Sequence, residues 1–213
     1  MESSIRRALV AMAWLSTALL LPGCANEVAS PVAGQALLVP GQGVVLGSLV
    51  LDFGGSSPEL RKAVIAQSSV TVVVRRVGGG ISDEMSFSTS NAARSTPGLE
   101  RFTDTDRRLL FFRSLPPGEY VIARREGHLL NSTFNSREGD QGTRFTVRAG
   151  QVTYIGAEIV TSYAKHDWLG VTSPGTTGLA LSDDVDDDSR HFYHLHPELR
   201  SLPFDDALRG GAR

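Results

Sequence analysis

The chain has 213 residues, of which 21% are charged and 41% hydrophobic, and its formal net charge at pH 7 is −2. This balance provides no strong field for nucleic acid or anionic lipid, so a nucleic-acid partner is not expected. The length suits one domain with tails, and Cys24 has no second cysteine in the chain with which to form a disulfide.

The N-terminal segment has the anatomy of an export signal. Arg6 and Arg7 precede an apolar run over residues 8–21, which is shorter than the roughly 20 residues that a membrane-spanning helix requires. An ordinary cleaved signal or an uncleaved anchor would share these features. Neither explains a single cysteine placed where the apolar run stops, so we expect acylation of Cys24.

Residues 21–24, Leu-Pro-Gly-Cys, resemble the lipobox of bacterial lipoproteins, in which an aliphatic residue and two small residues precede the cysteine. The resemblance implies that residues 1–23 are a signal peptide removed by cleavage, and that Cys24 carries a diacylglycerol and a further acyl chain such as palmitate. Two or three acyl chains hold a protein stably on a membrane, whereas one holds it only marginally. Ala25 rather than Asp follows the cysteine, which in this family favours the outer membrane of the cell envelope.

Residues 24–43 are small and polar, with Pro31, Pro40 and Gly41 among them. This composition predicts a flexible tether between the lipid and a folded domain.

The body of the chain is predicted to consist of strands separated by turns. Runs of β-branched, aromatic or alternating residues predict strands over residues 44–53, 70–77, 108–115, 119–125, 129–134, 144–148 and 151–163. Turns are expected at Pro116-Pro117-Gly118 and at Ala149-Gly150, because proline restricts φ and glycine allows a positive φ. The last strand is apolar on both faces, which predicts a central position.

Helical signals are few. Ser57-Pro58-Glu59 predicts the start of a short helix ending near Gln67. A second short helix is predicted where Val185, Phe192, Leu195 and Leu199 recur at helical spacing, with Pro197 interrupting it. The fold class expected is all-β: an antiparallel β-sandwich of about seven strands, with one or two short helices. We place the sandwich domain at residues 44–165 and a C-terminal extension with a short helix at residues 166–213.

Residues 112–122, containing the pattern F-x-x-L-P-P-G-x-Y, look like a hairpin of carboxypeptidase-regulatory-like, transthyretin-like sandwich domains. Residues 145–156 look like the closing hairpin of bacterial lipoproteins of this shape. The resemblance implies that Tyr120, Phe145 and Tyr154 fill a core, and that the domain is an accessory, binding or load-bearing module. The Tyr-Arg-Gly-Ser signature of the transthyretin-related hydrolases is absent, so their activity is not carried over.

The best candidate for chemistry is an acidic and histidine-rich segment near the C-terminus, comprising Asp183, Asp184, Asp186, Asp187, Asp188, His191, His194, His196 and Glu198. These side chains are common ligands of divalent metals. The alternative is a solvated acidic stretch at the positive end of a short helix. We favour the latter, because no recognised ligand spacing such as H-E-x-x-H occurs. No cofactor is therefore expected, and His191, His194 and His196 remain the candidate metal ligands of the alternative.

Two further patterns are given structural interpretations. Ser162-Tyr163-Ala164-Lys165 matches S-x-x-K, but it falls at the end of a predicted strand and lacks companion motifs. The pairs Arg75-Arg76 and Arg124-Arg125 are expected to be charges at the edge or the exit of a strand, which discourage edge-to-edge pairing. A basic groove for an acidic polymer is the alternative for these arginines.

The leading hypothesis is a non-enzymatic envelope lipoprotein, held on the membrane through Cys24, that binds an envelope protein or polymer or serves as a structural module. The alternative is a metal-dependent or hydrolytic envelope enzyme that uses the C-terminal histidines and aspartates. If the histidines bind metal, at least three ligands should converge within a few ångströms.

Overall fold

The computed structural model describes residues 38–54, 68–89, 99–103, 106–129, 132–166 and 172–210. The signal segment, Cys24, most of the predicted tether and the helix predicted between Ser57 and Gln67 lie outside these ranges.

Strands dominate the described residues. They are β1 (Gly43–Asp52), β2 (Ser69–Arg76), β3 (Met85–Ser88), β4 (Glu100–Phe102), β5 (Asp106–Leu115), β6 (Gly118–Leu129), β7 (Ser132–Arg137), β8 (Arg144–Val147), β9 (Val152–His166), β10 (Thr172–Ser182) and β11 (Phe204–Asp206). The helices are α1 (Val185–Leu195) and α2 (Ala207–Gly210), and short 3-10 turns occur at Ile81–Asp83, Gly139–Gln141 and Pro197–Leu199.

The strands form two sheets. Sheet 1 has the order β10-β9-β1-β5-β4, and β11 also pairs with β9. Sheet 2 has the order β3-β2-β6-β7, and β8 also pairs with β6. Buried residues of both sheets belong to one hydrophobic core, the arrangement expected of an all-β sandwich.

The predicted strand number and pairing direction are wrong in detail. The described part of the chain has eleven strands rather than about seven, and sheet 1 is mixed because β1 and β11 both run parallel to β9. The strands β4 and β11 have only three residues, too few for a periodic signal, whereas the four-residue β3 was missed although Met85 and Phe87 alternate with two serines. Strand β10 contains Pro174 and Gly178, which count against a strand, and its register with β9 shifts between Pro174 and Thr177.

Each of the seven predicted strands is present, within a few residues at either end. The prediction of a central position for residues 151–163 is confirmed, because β9 pairs with β1, β10 and β11. It is not the last strand, however. Sheet 1 continues past the domain boundary expected at residue 165, because β10 and β11 both belong to it.

The two motif turns carry the chain from one sheet to the other, so neither is a hairpin within a sheet. Pro116-Pro117-Gly118 joins β5 of sheet 1 to β6 of sheet 2, and Ala149-Gly150 joins β8 of sheet 2 to β9 of sheet 1. Gly150 has φ +68°, a conformation that glycine adopts without steric cost. The Tyr120 hydroxyl donates to the Pro116 carbonyl at 2.9 Å, which ties β6 back to the first turn.

The predicted core aromatics are confirmed. Tyr120, Phe145 and Tyr154 are 2%, 4% and 0% exposed, and the Tyr120 and Phe145 rings stack with centroids 5.7 Å apart.

Sheet 1 is covered on both faces. Residues 44–51 of β1 are all buried, which a strand with one solvated face would not be. On one face Phe111 of β5 stacks on Phe87 of β3 with ring centroids 4.5 Å apart, joining the two sheets. On the other face Phe112 meets Phe192 of α1 edge-on at 5.4 Å. The molecule therefore has three layers: sheet 2, sheet 1 and the C-terminal helix.

The second predicted helix is confirmed as α1. Val185 and Phe192 are buried on it, and Leu199 is buried in the 3-10 turn that follows. The helix ends at Leu195, before Pro197, because proline supplies no backbone N–H and disfavours helix at the preceding residue.

Candidate functional site

A buried carboxylate joins α1 to the centre of sheet 1. Asp188 is fully buried, and its Oδ2 accepts hydrogen bonds from Ser48 Oγ of β1 at 2.6 Å and from Tyr154 Oη of β9 at 2.9 Å. Its Oδ1 accepts from Arg108 Nη1 of β5 at 3.0 Å. Three neighbouring strands thus direct donors at one side chain of the helix.

Two further aspartates extend this cluster, which we call the Asp188 cluster: Ser48, Arg101, Arg108, Tyr154, Asp184, Asp187 and Asp188. Arg108 Nη2 lies 2.5 Å from Asp184 Oδ2. Arg101 of β4 binds Asp187 in a bidentate manner, with N–O distances of 2.7 and 3.3 Å. Bidentate arginine–carboxylate pairs combine charge with a defined geometry, so the cluster fixes the helix in both position and rotation.

The electrostatics of the Asp188 cluster follow from burial and charge. Burial, followed by the negative charge of Asp188, raises the pKa of Tyr154 well above its ordinary value, so the phenol stays protonated and donates. Burial alone would lower the pKa of Arg108, but hydrogen bonds and charge from Asp184 and Asp188 outweigh it and raise that pKa. The hydrogen bond from Arg101 lowers the pKa of Asp187.

The expectation of a solvated acidic stretch is therefore only partly correct. Asp183 and Asp186 are exposed, but Asp188 is fully buried and Asp187 is bound by Arg101. A signal was present in the sequence. Asp188 lies three residues after Val185 and four before Phe192, within the apolar stripe of the helix, where a carboxylate needs a buried partner.

The three histidines lie on or just after α1 without converging. His194 is exposed, and His191 is half-buried. His196 meets the Phe112 ring edge-on at 4.7 Å, and its Nδ1 lies 3.1 Å from Glu198 Oε1. Within the described ranges, no group of three or more His, Cys, Asp or Glu side chains is arranged to hold a metal ion. The convergence that the metal-dependent alternative requires is not found there.

A second ion cluster links the two sheets, and it corrects the expectation that Arg125 is an edge charge. Arg125 of β6 is buried, and its Nε and Nη2 lie 2.7 and 2.8 Å from the Glu158 carboxylate of β9. Its Nη1 contacts Glu138. Burial opposes the positive charge, but Glu158 and Glu138 outweigh it and raise the pKa of Arg125. A cavity of about 240 Å³ lies beside this cluster.

The other arginines of the two pairs have separate partners. Arg124 pairs with Glu84 and Glu126, each at 3.4 Å, and Arg76 donates to the Pro117 carbonyl at 3.4 Å. The S-x-x-K segment, residues 162–165, lies in β9 as predicted, rather than on a helix.

The solvent face of sheet 2 carries a polar cleft of about 490 Å³, which the sequence patterns did not indicate. It is lined by Ser69, Thr71, Glu126, Gly127, His128, Thr133, Phe134 and Asn135. These residues come from β2, β6 and β7, and only the register of the three strands brings them together. The alternation of Ser69 and Thr71 with buried Val70 and Val72 marked one solvated face, but it could not show which residues of other strands lie beside it.

Neither helix in the described part of the chain has the length and apolar character needed to cross a lipid bilayer. Comparison of the chain with protein-family models, with curated proteins and with solved structures finds no match.

Proposed function

We propose that the protein is a bacterial envelope lipoprotein whose two-sheet domain, held on the membrane through lipid on Cys24, binds an envelope protein or polymer without catalysing a reaction. The observation that carries this proposal is the placement of the Leu-Pro-Gly-Cys segment, residues 21–24, at the end of the apolar run over residues 8–21. A chemical reason for a single cysteine at that boundary is acylation of its thiol.

The segment between Cys24 and the domain suits an anchored module. Leu38 already packs against the hydrophobic core, which leaves residues 25–37 to connect it to the lipid. Thirteen extended residues span at most roughly 45 Å, so the domain would stay near the membrane surface while moving relative to it.

The fold supports a binding module by providing a rigid scaffold. The Asp188 cluster fastens α1 to sheet 1, and the Arg125–Glu158 pair joins sheet 1 to sheet 2. A fixed three-layer body can hold a binding surface in constant geometry, which lowers the conformational cost of association.

The test is the chemical state of Cys24 in the full-length protein made in bacteria. We expect mass spectrometry to find a mature N-terminus at Cys24 carrying a diacylglycerol and an amide-linked acyl chain. The Cys24→Ser variant should carry no lipid and should show no mature N-terminus at residue 24. Pro22→Ala is the matched control, because it keeps an aliphatic residue and two small residues before the cysteine, and it should be processed normally. A Cys24→Ser variant that is still cleaved and still membrane-bound would overturn the proposal.

A further inference from the structure

The polar cleft on sheet 2 consists of two rungs that cross three strands. In the first rung, Ser69 of β2 is opposite His128 of β6, which is opposite Thr133 of β7. In the second rung, Thr71 is opposite Glu126, which is opposite Asn135. Residues in register share a face of the sheet, so six polar side chains lie together on the solvated face.

The geometry of a sheet gives this patch its size. Rungs two residues apart are separated by roughly 7 Å, and three strands span roughly 10 Å. The cleft volume of about 490 Å³ falls in the range that small-molecule sites occupy, roughly 300–1,000 Å³.

The chemistry of the lining favours a ligand rich in hydroxyl groups. Ser69, Thr71 and Thr133 each provide a hydroxyl that donates and accepts, and Asn135 provides an amide that does both. Glu126 provides a carboxylate, a strong acceptor for hydroxyl donors. Such a set matches the alternating donors and acceptors of a sugar ring.

Two polar groups of the second rung, on Thr71 and Glu126, already have partners within the protein. Thr71 Oγ1 donates to Ser88 Oγ of β3 at 3.0 Å, and Arg124 Nε lies 3.4 Å from the Glu126 carboxylate. Side chains positioned in this way lose less conformational entropy on binding.

Phe134 borders the cleft from the other face of sheet 2. It lies opposite Gly127, and both residues alternate with those of the two rungs, so the half-buried ring lies across β6 on the face that packs against the hydrophobic core. A Cβ added at Gly127 would come within 2.1 Å of the Phe134 ring, so glycine leaves room for the ring.

Charge decides between neutral and acidic polymers. The cleft lining includes the Glu126 carboxylate and no lysine or arginine, and the neighbouring Arg124 is already paired with Glu84 and Glu126, so the lining offers an anionic chain no compensating cation. We propose that this cleft binds a neutral, hydroxyl-rich glycan chain. The inference rests on the proposed function in naming the class of envelope polymer that the domain recognises.

The experiment measures glycan binding by the full-length protein purified in detergent micelles, using isothermal titration calorimetry. The probes are neutral oligomers of N-acetylglucosamine, β-linked glucose and α-linked glucose, with an oligogalacturonate as the anionic comparison. We expect saturable binding of at least one neutral oligomer and none of the anionic one. Glu126→Gln and Asn135→Ala should each weaken binding about tenfold, and Thr133→Trp, which fills the cleft, should abolish it.

Matched controls lie on the same sheet outside the cleft. Glu119→Gln on β6 and Thr146→Ala on β8 should bind like the unmodified protein. The inference is overturned if no neutral oligomer binds at millimolar concentration, if only the anionic oligomer binds, or if the cleft variants that keep their thermal unfolding transition bind as tightly as the controls. Glycan binding is measured in solution, so its outcome does not depend on the lipid on Cys24. A failure to bind glycans therefore leaves the anchoring proposal intact, and a failure of the lipidation test leaves the glycan-binding inference intact.

Discussion

Replacing Asp188 of α1 with alanine should strongly destabilise the protein. The carboxylate accepts hydrogen bonds from Ser48, Tyr154 and Arg108 while fully buried. Removing one partner of a buried charge pair costs about 3–5 kcal/mol, because the remaining charge and donors stay buried without a partner. Arg108 keeps its contact with Asp184, which favours the lower part of that range, about 3–4 kcal/mol.

This loss is measured by urea unfolding followed by circular dichroism, with Asp186→Ala as the matched control. Asp186 lies in the same helical turn but is exposed, so its replacement should change the free energy of unfolding by no more than about 0.5 kcal/mol. Tyr154→Phe removes one hydrogen bond to the carboxylate and should cost about 1.5–3 kcal/mol. A loss for Asp188→Ala no larger than that for Asp186→Ala would refute the reasoning.

Three further predictions concern the ion pairs and the anchor. The pKa of Asp187 is lower in the folded than in the unfolded protein, so its contribution to stability is complete above the ordinary aspartate pKa of about 3.9 and is lost as the pH falls through the folded value. Urea unfolding between pH 7 and pH 2 should therefore show that the free energy of unfolding falls less steeply towards acid pH in Asp187→Asn than in the unmodified protein. Arg125→Met should lower the free energy of unfolding by about 3–5 kcal/mol, because Glu158 stays buried without its partner. The control Arg124→Met should lower it by under about 1 kcal/mol. Equal losses for the two variants in chemical unfolding would contradict this prediction. If Cys24 is lipidated as proposed, Ala25→Asp should move the protein from the outer to the inner membrane in density-gradient fractions, and an unchanged distribution would argue against the outer-membrane assignment.

The strands that could be predicted are those with a β-branched run or a marked alternation of apolar and polar residues. The β-branched run of β2 and the alternation of Phe145 and Val147 in β8 each express burial directly in the order of residues. Strand direction is a different matter. The parallel pairing of β1 with β9 depends on which strands meet after the chain has crossed between sheets at Gly118 and Gly150, and a local pattern does not encode that.

The candidate sites were harder to predict for the same reason. The partners of Asp188 lie between 34 and 140 positions earlier in the chain, so their sequence positions did not connect them. Arg125 resembled an exposed strand charge because its partner, Glu158, belongs to the other sheet. The cleft depends on the register of three strands, and its residues are individually ordinary surface residues.

The turn at Pro116-Pro117-Gly118 has a consequence for how an anchored domain would be oriented. Gly43, where the chain enters the fold, lies opposite Leu115, so this turn marks the end of the domain nearest the tether. Strand β6 starts there and runs away from it, and Glu126 lies roughly 27 Å further along, at the usual rise per residue. A domain held by lipid on Cys24 would therefore have its point of attachment and its cleft near opposite ends of β6.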